Sequence, residues 1–125
     1  MVKSVLIADD SAFVRQRVGE MFCREPDFEV CGEADNGKKA IERAQELHPD
    51  LILLDLSMPV MNGLEAARAL KRVMPDVPIV MFSAYADSFT EKEARSAGVS
   101  VLVLKLEDMS KLIGVARDLV HDMAA

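Results

Sequence analysis

Five short aliphatic or β-branched runs recur along the 125 residues, separated by longer stretches with helical spacing. The runs are Ser4–Ala8, Phe28–Gly32, Leu51–Leu54, Ile79–Phe82 and Ser100–Leu104. Between them, apolar residues return every three or four positions: Phe13, Val14, Val18, Met21 and Phe22, then Ala40, Ile41, Ala44 and Leu47, then Leu64, Ala67, Leu70, Val73 and Met74. The final stretch carries Leu112, Val115, Ala116, Leu119, Val120 and Met123 on one stripe. Period two or unbroken apolarity over four or five residues reads as strand, and a 3.6 period reads as amphipathic helix. Boundary residues agree with this division. Ser11, Ser88 and either Asp108 or Ser110 are expected N-caps, with Ser88 and Glu91 at capping-box spacing. Gly98 sits where a left-handed residue ends a helix. Pro49, Pro75 and Pro78 fall at helix ends or strand starts, where a missing N–H costs little.

Strands that alternate with helices pair in parallel, with helices on both faces of the sheet. The third to fifth strands are nearly continuous apolar runs, as burial on both sides requires. Five βα units of this length predict an α/β, doubly wound parallel sheet of the flavodoxin-like (βα)5 type, strand order 2-1-3-4-5. The length suits one domain over residues 1–125, with no output domain in this chain, as a stand-alone protein or part of a longer one.

Composition narrows the function. Lys and Arg number 15 against 21 Asp and Glu, a formal charge of −6 that argues against direct nucleic-acid binding. The longest apolar runs are far too short to span a bilayer, and the start Met-Val-Lys-Ser lacks the apolar segment of a secretory leader. A cytoplasmic location is expected, with Cys23 and Cys31 as free thiols.

Ligands of open α/β sheets bind beyond the carboxyl ends of the strands, at the switch point between strands one and three. Asp9, Asp10 and Ser11 follow the first strand, Asp55 the third, Ser83 the fourth and Lys105 the fifth. Taken alone, Asp9 and Asp10 read as a cap complementing a helix dipole, Ser83 as a turn residue and Lys105 as a solvated strand end. Asp55, closing an apolar run, needs a partner for a partly desolvated charge. Converging carboxylates repel unless a cation or protons intervene. Lys105 supplies one charge, and a hard oxygen-liganded ion would supply the rest. Mg²⁺ suits the donors better than Zn²⁺, because neither His48 nor His121 nor a cysteine ends a strand on this face. A carboxylate nucleophile, Mg²⁺, a lysine and a hydroxyl together suit phosphoryl transfer. No glycine-rich phosphate loop accompanies them.

The segments Leu6-Ile-Ala-Asp9-Asp10-Ser11, Leu53-Leu-Asp55-Leu-Ser-Met-Pro59-Val-Met-Asn-Gly63, Met81-Phe-Ser83-Ala84 and Val103-Leu-Lys105 resemble the receiver domain of bacterial two-component response regulators. Gly32-Glu-Ala34, Asn36-Gly37 and Ser96-Ala-Gly98 are similar to receivers that precede helix-turn-helix output domains. The resemblance implies Asp55 as phospho-acceptor, served by a sensor histidine kinase, a phosphotransfer protein or a small phosphodonor. It implies Mg²⁺ held by Asp9, Asp10, Asp55 and the Ser57 carbonyl, with Ser83 and Lys105 contacting the phosphoryl group. Such a domain catalyses its own phosphorylation and dephosphorylation rather than turning over a separate substrate. The implied response remodels the face of the fourth helix, fifth strand and fifth helix, which contacts an output domain, a partner or a second copy. Leu102 stands where receivers usually carry Tyr or Phe, and Leu106 where they usually carry a cis proline. An aromatic switch at 102 is therefore excluded, leaving Ser83 and Tyr85 as the other switch candidates. Two rivals share parts of the pattern. A haloacid-dehalogenase-like phosphatase needs a second aspartate where Ser57 stands, and a flavodoxin-like FMN carrier would meet repulsion between its phosphate and Asp9-Asp10.

Overall fold

The computed structural model describes residues 1–84, 87–104 and 109–124, the side chains at 89, 109 and 122–124 excepted. The expectations for Tyr85, Lys105, Leu106 and a cap at Asp108 lie outside the described residues. The strands are β1 (Lys3–Ala8), β2 (Phe28–Ala34), β3 (Leu51–Asp55), β4 (Ile79–Ser83) and β5 (Val101–Leu104). The helices are α1 (Ala12–Cys23), α2 (Gly37–Leu47), α3 (Gly63–Val73), α4 (Ser88–Ser96) and α5 (Leu112–Ala124), the last preceded by a 3₁₀ turn at Met109–Lys111. All pairings are parallel, in the order β2-β1-β3-β4-β5. Sheet and order are those expected.

The helix boundaries have local causes. Ser11 caps α1 by accepting the Val14 N–H, as expected. Asn36 and Asn62 cap α2 and α3, and Asn62 forms a reciprocal box with Glu65. The α4 cap differs from expectation: Asp87 accepts the Thr90 N–H at 2.7 Å, and Ser88 is already helical. Both residue types cap well, but a carboxylate also complements the helix dipole and gains the position. Ser110 likewise lies inside the 3₁₀ turn rather than capping α5. Gly98 has φ +94°, and the Gly98 and Val99 N–H groups donate to Arg95 and Ala94, closing α4 as expected. Strand β2 runs two residues past Gly32. A register shift leaves Cys31 unpaired, after which Ile7 faces Glu33 and Ala8 faces Ala34. That bulge prolongs pairing to the end of β1.

Two cores lie on opposite faces of the sheet. On one face Leu6, Ile52, Leu54, Ile79 and Met81 meet Ala40 and Ala44 of α2, Ala66, Ala67 and Leu70 of α3, and Ala94 of α4. On the other, Val5, Ile7, Leu51, Leu53, Val80 and Phe82 meet Val18 and Phe22 of α1 and Leu112, Ala116 and Val120 of α5. Successive residues of β3 serve alternate faces, and all five are buried.

At the sheet end away from the Asp residues, Arg117 of α5 clamps the turn before β2. Its Nε and Nη2 donate to the two Asp27 oxygens at 2.8 and 2.9 Å, and Nη2 also reaches Glu25 at 3.0 Å. His121 Nε2 lies 4.0 Å from the same carboxylate. The Arg117 hydrogen bond holds the Asp27 carboxyl below its ordinary 3.8. A group lowered in this way contributes stability above the ordinary value and loses it as pH falls through the lowered one. Asp27→Asn should therefore lower the melting temperature at pH 7, with the difference from wild type shrinking below pH 3.8. Thermal melts followed by circular dichroism across pH 3 to 7 check this; a pH-independent difference would contradict it.

Candidate functional site

Asp9, Asp10 and Asp55 bring one carboxylate oxygen each to within 4.8 Å of the others, at the switch point. Asp9 follows β1 directly and is fully buried. Its N–H donates to Ala34 of β2 at 3.0 Å, and its Oδ1 accepts the Ser11 N–H at 2.9 Å. Asp10 is exposed. Asp55 is the last residue of β3, 3% exposed, and its Oδ1 faces the Ser57 N–H at 3.4 Å. Ser83 closes β4 at 2% exposure, one residue beyond the Phe82 that pairs with Asp55. Four of the expected site residues thus share one sheet edge, with exposed Ser57 just beyond. Leu102 is half-buried and packs on the helix α2–α4 core.

The loop from β3 to α3 is held firmly. The Leu56 N–H donates to Phe82 at 2.8 Å, and the Gly63 N–H returns to Leu56 at 2.9 Å. A Cβ at Gly63 would stand 2.3 Å from the Asp55 carbonyl oxygen, so only glycine lets α3 start this close to the acid's own backbone. The Gly37 N–H of α2 donates to Met61 at 2.9 Å. At the tip, Met61 N–H closes onto Pro59 at 2.7 Å around Val60, which has φ +68° and is 78% exposed. This is a strained γ-turn, costly for a β-branched residue. Met58 and Met61 fill space against the core. A groove of about 470 Å³ opens alongside, lined by Asp10, Leu56, Ser57, Pro59 and Asn62 among others.

Three carboxylates this close repel. At an effective dielectric of about 20, a pair near 4.8 Å costs roughly 3 kcal/mol before compensation. The donor set fits a hard cation: oxygens only, on three short side chains. Ligands around one Mg²⁺ lie roughly 3–4 Å apart, so small side-chain rotations would close these oxygens onto an ion.

No sequence pattern marks Arg15, whose Nη1 donates to the Asp9 carbonyl at 2.7 Å. An arginine near the start of an amphipathic helix reads as solvated, and its target is a backbone atom that no sequence pattern marks. The Asn62–Glu65 box was visible as Asn followed three residues later by Glu. The left-handed Val60 and His48 carried no glycine to signal them.

Fold and acid cluster define a doubly wound α/β domain with an acidic pocket at its switch point. The response regulator receiver domain model matches residues 5–117, and the chain belongs to that family. Its function class is two-component signal transduction; these likenesses do not support the dehalogenase and FMN-carrier alternatives. It is 35% identical over 113 residues to the chemotaxis protein CheY of Thermotoga maritima, covering 90% of this chain and 93% of that one. It is 41% identical over 114 residues to a protein-glutamate methylesterase/protein-glutamine glutaminase of Photobacterium profundum, covering 89% of this chain but 29% of the relative. The chain spans less than a third of the length of several such methylesterase relatives. Among solved structures, a LuxR-family two-component response regulator from an Aurantimonas species superposes with a TM-score of 0.92 at 25% identity, over 98% of this chain and 87% of that one. Among the described residues no helix is long and apolar enough to cross a membrane.

Proposed function

We propose that Asp55 accepts a phosphoryl group and that the phosphorylated state is the signal. The reading rests on one observation: a buried carboxylate at the end of β3 with two further carboxylate oxygens within 4.8 Å. In the forward step an Asp55 oxygen attacks phosphorus, forming an O–P bond. The P–N bond of a donor phosphohistidine breaks, and the leaving imidazole takes a proton from solvent. Attack by water on phosphorus later breaks the Asp55 O–P bond, releasing inorganic phosphate and restoring the carboxylate. Asp9, Asp10, Asp55 and the Ser57 carbonyl would hold Mg²⁺, which neutralises the phosphoryl oxygens when bound. Ser83 would donate its hydroxyl to a phosphoryl oxygen, and Lys105 would contact another.

The donor in the cell is a sensor histidine kinase or a phosphotransfer protein, and the domain works in the cytoplasm. Phosphorylation adds roughly 1.5 to 2 negative charges, which draw Ser83 inward and with it the loop toward α4. Leu102 and its neighbours on α4, β5 and α5 then present an altered face to an output domain, a separate effector or a second copy. Tyr85 would repack as that loop moves.

Acetyl phosphate with Mg²⁺ should add one phosphoryl group, detected by intact mass and lost in hydroxylamine. Asp55→Asn should abolish the addition. A phosphorylated Asp55→Asn protein, or a wild type that stays unmodified under these conditions, would overturn the assignment.

A further inference from the structure

Resting on the phospho-acceptor reading, we propose that Arg15 is a positioning residue that aims the Asp9–Asp10 acid pair at the cation. Arg15 lies in the second half of the first turn of α1, its side chain only 19% exposed. The guanidinium spans two elements. Nη1 donates to the carbonyl oxygen of Asp9 at 2.7 Å, and Nε donates to Glu33 Oε1 at 3.0 Å. Glu33 is the penultimate residue of β2, paired in register with Ile7 of β1.

The consequence falls on the peptide unit joining Asp9 to Asp10. The Asp9 N–H is tied to β2 through the Ala34 carbonyl, and Ser11 N–H occupies Asp9 Oδ1. The Asp9 carbonyl is tied to β2 indirectly, through Arg15 and Glu33. Asp9 thus has its N–H held in the peptide unit before it and its C=O held in the unit after it, and the plane that carries Asp10 cannot rotate freely about an anchored Asp9. Asp10 is exposed, so its direction depends on the backbone that carries it rather than on packing. A rigid fork with two separated donors makes this bridge, whereas a lysine ammonium is a single point on a flexible stem. Charge-assisted hydrogen bonds are also the stronger kind. Glu33 balances the guanidinium charge, so the bridge acts through geometry more than through field.

Groups that orient metal ligands typically matter by ten- to a hundredfold in affinity. Titration of the full chain with Mg²⁺ by calorimetry, together with melting temperatures, tests the role. Arg15→Ala should bind Mg²⁺ on the order of tenfold more weakly, and Arg15→Lys should recover little of that loss despite keeping the charge. Glu33→Gln, which keeps an acceptor oxygen for Nε, should lose less, and adding it to Arg15→Ala should cost nothing further. Arg117→Ala, at the opposite end of the sheet, serves as a control that lowers the melting temperature without changing Mg²⁺ affinity. Wild-type affinity in Arg15→Ala, full recovery in Arg15→Lys, or an equal loss in Arg117→Ala would each overturn the positioning role while leaving the phospho-acceptor reading intact. Failure of the unaltered chain to bind Mg²⁺ would bring down both.

Discussion

Asp10→Ala is expected to make the protein more stable and phosphorylation far slower. Asp10 stands within 4.8 Å of two other carboxylates at a buried sheet edge. Removing it deletes two repulsive pairs, worth roughly 3 kcal/mol each at an effective dielectric of about 20. Because Asp10 is exposed, solvent screens most of that. The loss of a carboxylate near the α1 N-terminus takes back a further few tenths to 1 kcal/mol. The net expectation is a gain of about 1 kcal/mol in Mg²⁺-free buffer. The same change would strip one carboxylate from the proposed cation pocket. The stabilisation that saturating Mg²⁺ confers on wild type, which follows the ratio of ligand concentration to Kd, should largely vanish. Phosphorylation by acetyl phosphate should slow at least a hundredfold, the upper range for ligand-shell losses. Urea melts with and without Mg²⁺, and phosphorylation rates by mass, check both halves. An Asp10→Ala protein with lower stability and unaltered Mg²⁺ response would show that Asp10 is a structural cap and not a ligand.

Gly63→Ala should be strongly destabilising although it sits at a helix start, where alanine normally helps. The added methyl would meet the Asp55 carbonyl oxygen at 2.3 Å, the Asp55 carbonyl carbon at 3.1 Å and the Leu56 Cα at 3.0 Å. These are backbone atoms, so either α3 or the end of β3 must move. Overpacking of this kind costs typically 1–3 kcal/mol or more. The moving part carries the carboxylate proposed as acceptor, so phosphorylation should also slow by at least tenfold, since a 1 Å misplacement can cost a hundredfold. Gly114→Ala is the matched comparison. It too lies in a helix, but nothing stands within 4 Å of its added methyl, and helix propensity predicts a gain of about 1 kcal/mol. Equilibrium unfolding of the two variants separates the cases; similar stabilities for both would mean the tight approach at Gly63 relaxes without consequence.

Sheet order and acid cluster were readable because each leaves a periodic or terminal mark. Alternating periods located all five strands, and Asp9, Asp10, Asp55 and Ser83 each end or follow one. What escaped was written in backbone geometry. The extra two residues of β2 depend on the bulge at Cys31, a residue indistinguishable in sequence from its strand neighbours. The α4 cap moved by one residue because Asp87 and Ser88 are both good caps and only the fold decides which is extended. Arg15 acts on a carbonyl, and a carbonyl has no residue type.

The two cores differ in relief as well as in position. The helical side of the α2–α4 face consists largely of alanines, 40, 44, 66, 67, 94 and 97. The α1–α5 face inserts Val18, Phe22, Leu112 and Val120, with Phe22 and Phe28 edge to face at 5.1 Å. Long side chains interlock and resist displacement. Methyl groups present a shallow surface over which a helix can shear with little repacking. The sheet is thus keyed on one side and smooth on the other, and α4, the helix that follows Ser83, rides on the smooth side. Movement passed from the proposed acceptor Asp55 toward α4 would meet little interlocking, while the keyed side resists displacement of α1 and α5.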